Sequence, residues 1–162
     1  MKKINVVIYG ATGSIGRSTL SIISKNLDKI NIEGITCNKN ILKLLKIAKS
    51  YKVKKIGFNE KSIHKLNKVN LNEYEVFNDD AKFDSILSKK TDIIIFAASG
   101  LNSLNLLLKI LKSGKIVGIA NKECIITLGK KFISLSKKFK TKIIPLDSEH
   151  NSIYHLLSQN LG

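Results

Sequence analysis

Three short segments hold residue types that could do chemistry together. The first, Gly10-Ala11-Thr12-Gly13-Ser14-Ile15-Gly16, follows directly on an apolar run that ends at Tyr9. A glycine-rich turn in that position bares backbone N–H groups at a helix N-terminus, where partial positive charge and missing side chains let a pyrophosphate approach. The second, Asn121-Lys122-Glu123, offers an amide, an ammonium and a carboxylate that could grip a ribose or nicotinamide and a substrate oxygen. The same three residues would equally serve as a helix cap with an exposed ion pair. In the third, Asp147-Ser148-Glu149-His150-Asn151, two carboxylates two residues apart suit a hard divalent ion, which prefers oxygen ligands. Two ligands do not complete a metal site, and a helix N-cap with an acidic first turn is the competing reading. His150 reads more simply as a packed or exposed ring than as a ligand or proton carrier.

Each segment follows an expected β-strand. Ile4 to Tyr9 is short, β-branched and continuous, as in a parallel strand buried on both faces. After Gly16, Leu20, Ile22, Ile23 and Leu27 fall at helical intervals, so the order is strand, glycine turn, helix, as a dinucleotide fingerprint requires. Further strands are expected at 32–37, 54–58, 74–77, 92–97, 115–120 and 142–146. Helices are expected at 41–51 with a stripe of Leu42, Leu45, Ile47 and Ala48, at 62–69, after Asp79-Asp80 with Phe83, Ile86 and Leu87 inward, at 102–112 and over most of 124–139. This alternation predicts an α/β fold, a Rossmann-like, doubly wound and mostly parallel sheet with helices on both faces and ligands at the carboxyl ends of the strands. Pro145, the single proline, ends the last strand, where a ladder donor is dispensable.

The second strand bears on cofactor choice. Enzymes that prefer an unphosphorylated ribose place Asp or Glu at its tip, whereas here the chain runs into Asn38-Lys39-Asn40. Lys39 offers a cation to a 2′-phosphate, which favours NADP over NAD; the plainer reading is one more solvated lysine.

Composition narrows the rest. A hydrophobic content of 43% in 162 residues fits a soluble globular protein with one full core and room for the start of a second. The apolar run after Met1-Lys2-Lys3 stops at the glycine turn, too short for a signal peptide, and no stretch could span a membrane; the expected location is cytoplasmic, with no membrane partner. Cys37 and Cys124 show neither metal spacing nor a redox pair. The net charge of +16 would normally raise nucleic acid as a partner, but Arg17 is the only arginine and aromatic residues are scarce, so no specific nucleic-acid reader is expected.

Together, Gly10 to Gly16, Ala120-Asn121-Lys122-Glu123 and Pro145-Leu146-Asp147-Ser148-Glu149-His150-Asn151 resemble the N-terminal region of the 1-deoxy-D-xylulose 5-phosphate reductoisomerases, enzymes of non-mevalonate isoprenoid biosynthesis, over essentially the whole chain. The resemblance implies that Thr12, Gly13, Ser14 and Ile15 hold the NADPH phosphates, that Lys39 and Asn40 contact the adenosine end, and that Asn121 and Glu123 also touch the cofactor. Lys122, Ser148 and Glu149 would meet the phosphorylated sugar substrate, with Lys122 and Glu149 as catalytic residues, and Asp147 and Glu149 would bind Mg²⁺ or Mn²⁺. The family reaction is a metal-assisted skeletal rearrangement followed by hydride reduction, giving 2-C-methyl-D-erythritol 4-phosphate. The chain departs from the usual pattern in carrying Asn38 where Gly is frequent and Cys124 where Ser is frequent. The family continues well beyond residue 162, with a third metal carboxylate and most of the substrate-phosphate pocket expected there, so residues 1–146 read as an NADPH-binding domain and 147–162 as the start of a catalytic domain. Such a piece is expected to be inactive alone and to form a homodimer in the full-length enzyme. The rivals are another NADP-dependent dehydrogenase, which leaves the Asp-Ser-Glu-His segment unexplained, and a cationic nucleotide- or nucleic-acid-binding module.

Overall fold

In the computed structural model, residues 2–59, 70–78 and 80–146 are described, with Asp80 and Ala81 as backbone only. The strand–glycine turn–helix order expected at the start is present as β1 (Ile4–Tyr9) and α1 (Ser14–Ser24). There follow β2 (Ile30–Cys37), α2 (Ile41–Tyr51), β3 (Lys55–Phe58), β4 (Glu75–Phe77) and a 3₁₀ segment (Asp80–Ile86). The second half comprises β5 (Ile93–Phe96), a 3₁₀ turn (Leu101–Ser103), α3 (Leu104–Ile110), β6 (Ile116–Ile119), α4 (Lys122–Leu128), α5 (Lys130–Lys138) and β7 (Lys142–Pro145).

All six strand pairings are parallel, and the seven-stranded sheet has the order β4-β3-β2-β1-β5-β6-β7. The chain starts at the centre, winds outward over β2 to β4, then returns to the other side of β1, which makes the sheet doubly wound. The side-chain period of two divides β1 between two cores. Val6 and Ile8 face a layer containing Leu20 and Ile23 of α1 and Ile41, Leu44 and Ala48 of α2. Val7 and Tyr9 face the other layer, with Phe83 and Ile86, Leu107 and Ile110 of α3, and Phe132 of α5. β2 carries a bulge: Val6 pairs with Ile32 but Val7 with Gly34, so Glu33 is an extra residue. Pro145 lies at the end of the edge strand β7, paired with Ile119.

Several helical expectations need correction. The inward face of α2 is Ile41, Leu44 and Ala48, whereas Leu42 is exposed and Leu45 and Ile47 are half-buried. The run Ile-Leu-Lys-Leu-Leu-Lys-Ile-Ala is apolar enough to offer two stripes, and packing against the sheet selects one. In α1 only Leu20 and Ile23 turn inward; Ile22 points to solvent, and Leu27 lies beyond the helix and is exposed. The helix expected after Asp79-Asp80 is a 3₁₀ segment, whose three-residue turn puts Phe83 and Ile86 on one side, both buried. The element expected at 102–112 is a 3₁₀ turn leading into the shorter α3, and the run at 124–139 is divided at Gly129 into α4 and α5. The helix expected at 62–69 and residue Asp79 lie outside the described residues. Among the described residues no helix is long and apolar enough to cross a membrane.

Candidate dinucleotide site

The three glycines of the first turn have different physical roles. Gly10 has φ +85°, and a Cβ there would stand 2.5 Å from the Ala97 carbonyl oxygen, so only glycine lets the loop after β1 lie against the end of β5. At Gly16 a Cβ would meet the Gly10 oxygen and the Ala11 Cα at 2.4 and 2.6 Å, so its absence lets α1 sit on the turn. Gly13 has neither reason: its backbone is extended (φ −76°, ψ 179°), and a Cβ would find only the Gly10 oxygen at 3.4 Å. Protein sterics leave space over Gly13, and the residue lines a cavity.

That cavity, about 160 Å³, opens where the ends of β1, β2 and β5 meet. Its walls include Thr12, Gly13, Asn38, Phe83, Ala98 and Leu106. The loops around it are held by the chain itself. The Gly10 N–H donates to both the carbonyl oxygen and Oγ1 of Thr36, each at 3.2 Å, and the Ala11 N–H to the Thr36 carbonyl at 2.8 Å, tying the glycine turn to β2. Beneath, the Tyr9 hydroxyl donates to the Phe83 carbonyl at 2.9 Å, and burial pushes its pKa far up, so it stays a neutral donor.

The N-terminus of α1 faces this space unfinished. Its cap residue, Gly13, has no side chain to give, and its first turn holds no acidic residue. The first helical bond runs from the Arg17 N–H to the Gly13 carbonyl at 3.0 Å, which leaves the N–H groups of Ser14, Ile15 and Gly16 as first-turn donors without an intrahelical partner. Such donors with the helix dipole behind them suit an anion.

At the tip of β2, Asn38, Lys39 and Asn40 are exposed and no carboxylate is present. Asn40 caps α2, its Oδ1 accepting from the Lys43 N–H at 3.1 Å. Cys37, just before, is buried at the cavity wall, and burial pushes its thiol up to about 12 against a weaker opposing hydrogen bond from the Asn40 backbone; the group stays protonated and inert.

Asn121 is only 2% exposed, and its side chain is engaged within the protein. Nδ2 reaches the Ala98 carbonyl at 2.8 Å, the Gly100 carbonyl at 3.2 Å and Ser103 Oγ at 3.1 Å, while Oδ1 accepts from the Cys124 N–H at 2.8 Å. It is thus the N-cap of α4 and the clamp on the loop after β5. Of the two roles weighed for this amide, the described contacts are those of the cap. Lys122 and Glu123 follow on the surface, Glu123 in the first turn of α4, where its charge suits the dipole.

The structure therefore brings Thr12, Gly13, Ser14 and Ile15 to one edge with Lys39 and Asn40 beside them, and sets Asn121, Lys122 and Glu123 at the end of β6, two strands from β1 on the same edge. Asp147, Ser148 and Glu149 lie outside the described residues. Phe83, Asn102 and Leu106 as cavity walls escape the sequence, because they stand far along the chain and nothing in their spacing marks a ligand.

A family model for 1-deoxy-D-xylulose 5-phosphate reductoisomerase matches residues 6–129. A relative of that name from Vesicomyosocius okutanii subsp. Calyptogena okutanii (strain HA) is 34% identical over 155 residues, covering 94% of this chain and 40% of its own length. The reductoisomerase from Zymomonas mobilis, solved in complex with NADPH, superposes with a TM-score of 0.83 at 29% identity, covering 93% of this chain and 40% of that one. A reductoisomerase structure in complex with NADPH, fosmidomycin and magnesium gives the same TM-score and identity over 94% of this chain and 38% of that one. The chain thus spans about 40% of the length of the relatives it matches. By its sheet order, its glycine turn and these likenesses, the chain belongs to the 1-deoxy-D-xylulose 5-phosphate reductoisomerase family.

Proposed function

We propose that this chain is the NADPH-binding part of a reductoisomerase that converts 1-deoxy-D-xylulose 5-phosphate to 2-C-methyl-D-erythritol 4-phosphate. The observation that carries the reading is the open space over Gly13 at an uncapped helix N-terminus: the fold does not need glycine there, and a diphosphate does. The N–H groups of Ser14 and Ile15 and the Thr12 hydroxyl hold the diphosphate. Lys39 and Asn40, at a strand tip without a carboxylate, receive the phosphorylated adenosine ribose, and the cavity beside Phe83 and Leu106 takes the adenine. Asn121 and Glu123, further along the same edge, contact the cofactor toward its nicotinamide end. NADPH bound there supplies a hydride.

Among the described residues no cluster of three His, Cys, Asp or Glu could hold an ion. We assign the metal to Asp147 and Glu149, hard oxygen donors suited to Mg²⁺ or Mn²⁺ as a Lewis acid. Lys122, Ser148 and Glu149 are assigned to the phosphorylated sugar, with Lys122 and Glu149 as catalytic groups. Residues 1–146 form the cofactor domain and 147 onward begins the catalytic one; the whole enzyme acts as a cytoplasmic homodimer.

The test is fluorescence titration of the purified chain with NADPH. Saturable binding that survives moderate salt, lost in Gly13→Val, is expected; a steep salt slope with duplex DNA and no NADPH binding would support the nucleic-acid module instead. The 162-residue chain is expected to bind cofactor without substrate-dependent NADPH oxidation.

A further inference from the structure

Of the 28 basic residues in this chain, all but one are lysine. The exception, Arg17, stands in the first turn of α1, one residue past Gly16. Its side chain is exposed and makes no hydrogen bond, ion pair or ring contact among the described residues. That placement is locally unfavourable. A cation near the positive end of a helix dipole is repelled, the first turn contains no acid to offset it, and the cap is a bare glycine. A helical side chain leans toward the N-terminus and covers the turn before its own Cα, which for Arg17 is the turn of Gly13 and Ser14. Guanidinium differs from ammonium in presenting a planar fork of donors that grips a phosphate through two hydrogen bonds.

We propose that Arg17 is a phosphate-recognition residue whose guanidinium pairs with the cofactor diphosphate over the first turn of α1, a role distinct from that of Lys39 at the adenosine end. The inference rests on the NADPH reading given above. The diphosphate removes the charge conflict at this helix end, and Arg17 closes the outer side of a cradle whose inner side is backbone N–H.

NADPH and NADH share the diphosphate and differ in the 2′-phosphate, so titrating both against the chain separates the two sites. Arg17→Gln is expected to weaken both ligands by the same factor, about tenfold, and Arg17→Lys by about threefold, since it keeps charge and loses the fork. Lys39→Gln is expected to weaken NADPH alone. Because Arg17 opposes the helix dipole, ligand-free Arg17→Gln is expected to melt at the same temperature as the parent or higher; a lower melting temperature would mean a structural role and overturn the proposal. Unchanged affinity for both ligands, or loss confined to NADPH, overturns it as well while leaving the NADPH site intact. Failure of the unsubstituted chain to bind NADPH overturns the function reading itself.

Discussion

Two strand-to-helix turns on the same sheet edge are built in opposite ways. After β6, Asn121 caps α4, Glu123 supplies an acid to its first turn, and the Asn121 amide also clamps the loop after β5. After β1, the helix begins at a bare glycine, with no acid and with Arg17 in the first turn. A good cap stabilises a helix by about 1 kcal/mol, so α1 forgoes stability that α4 takes. The start of α4 is completed by the protein itself and belongs to the frame; the start of α1 is left open beside a cavity lined by Gly10, Thr12 and Gly13, where an anion fits.

The contrast can be broken at three points and checked against a control. Gly16→Ala should cost more than about 3 kcal/mol in urea denaturation, because the new Cβ meets backbone that cannot move aside. Asn121→Ala should cost about 2 kcal/mol, with faster amide exchange at Cys124, as cap and clamp are lost together. Gly13→Ala should cost under about 1 kcal/mol while NADPH affinity falls at least about tenfold; stability and binding exchanging ranks between Gly13 and Asn121 would reverse the contrast. The smallest effect is a control remote from either turn. The Glu33 carboxylate accepts from the Thr91 hydroxyl at 2.6 Å and faces Lys55 Nζ at 3.4 Å. Partial burial pushes its pKa up, but hydrogen bonds from Ser88 and Thr91 together with the Lys55 charge outweigh it and hold the carboxyl below its usual range. Its contribution is therefore present at neutral pH and lost as pH falls through that lowered value. Glu33→Gln should cost about 0.5 kcal/mol at pH 7, with the gap closing on acidification.

Most of the sheet is legible in the chain because its strands are brief β-branched runs closed by glycine or polar residues, as at Ile4 to Tyr9 and Ile93 to Phe96. The glycine turn is legible too, since its meaning depends only on the strand before it and the helix after it. Helix faces are harder to read: in Ile41 to Ala48 nearly every non-lysine is apolar, and tertiary contact alone decides that Leu44 is inside and Leu42 outside. The double duty of Asn121 is invisible for the same reason, because its partners Ala98, Gly100 and Ser103 lie about 20 residues earlier and become neighbours only when β5 and β6 pair.

The extra residue at Glu33 sets the aim of everything after it in β2. In an unbroken strand, Ile32 and Ile35 would point to opposite faces; here both join Cys37 in the layer under α1 and α2. That half-turn puts Thr36 in place to take the N–H groups of Gly10 and Ala11. Removing one residue from the strand would rotate its far end by half a pleat, swapping Thr36 with its neighbours and breaking its bonds to the glycine turn. The tie between the glycine turn and the neighbouring strand is thereby fixed by one extra residue three positions upstream of Thr36.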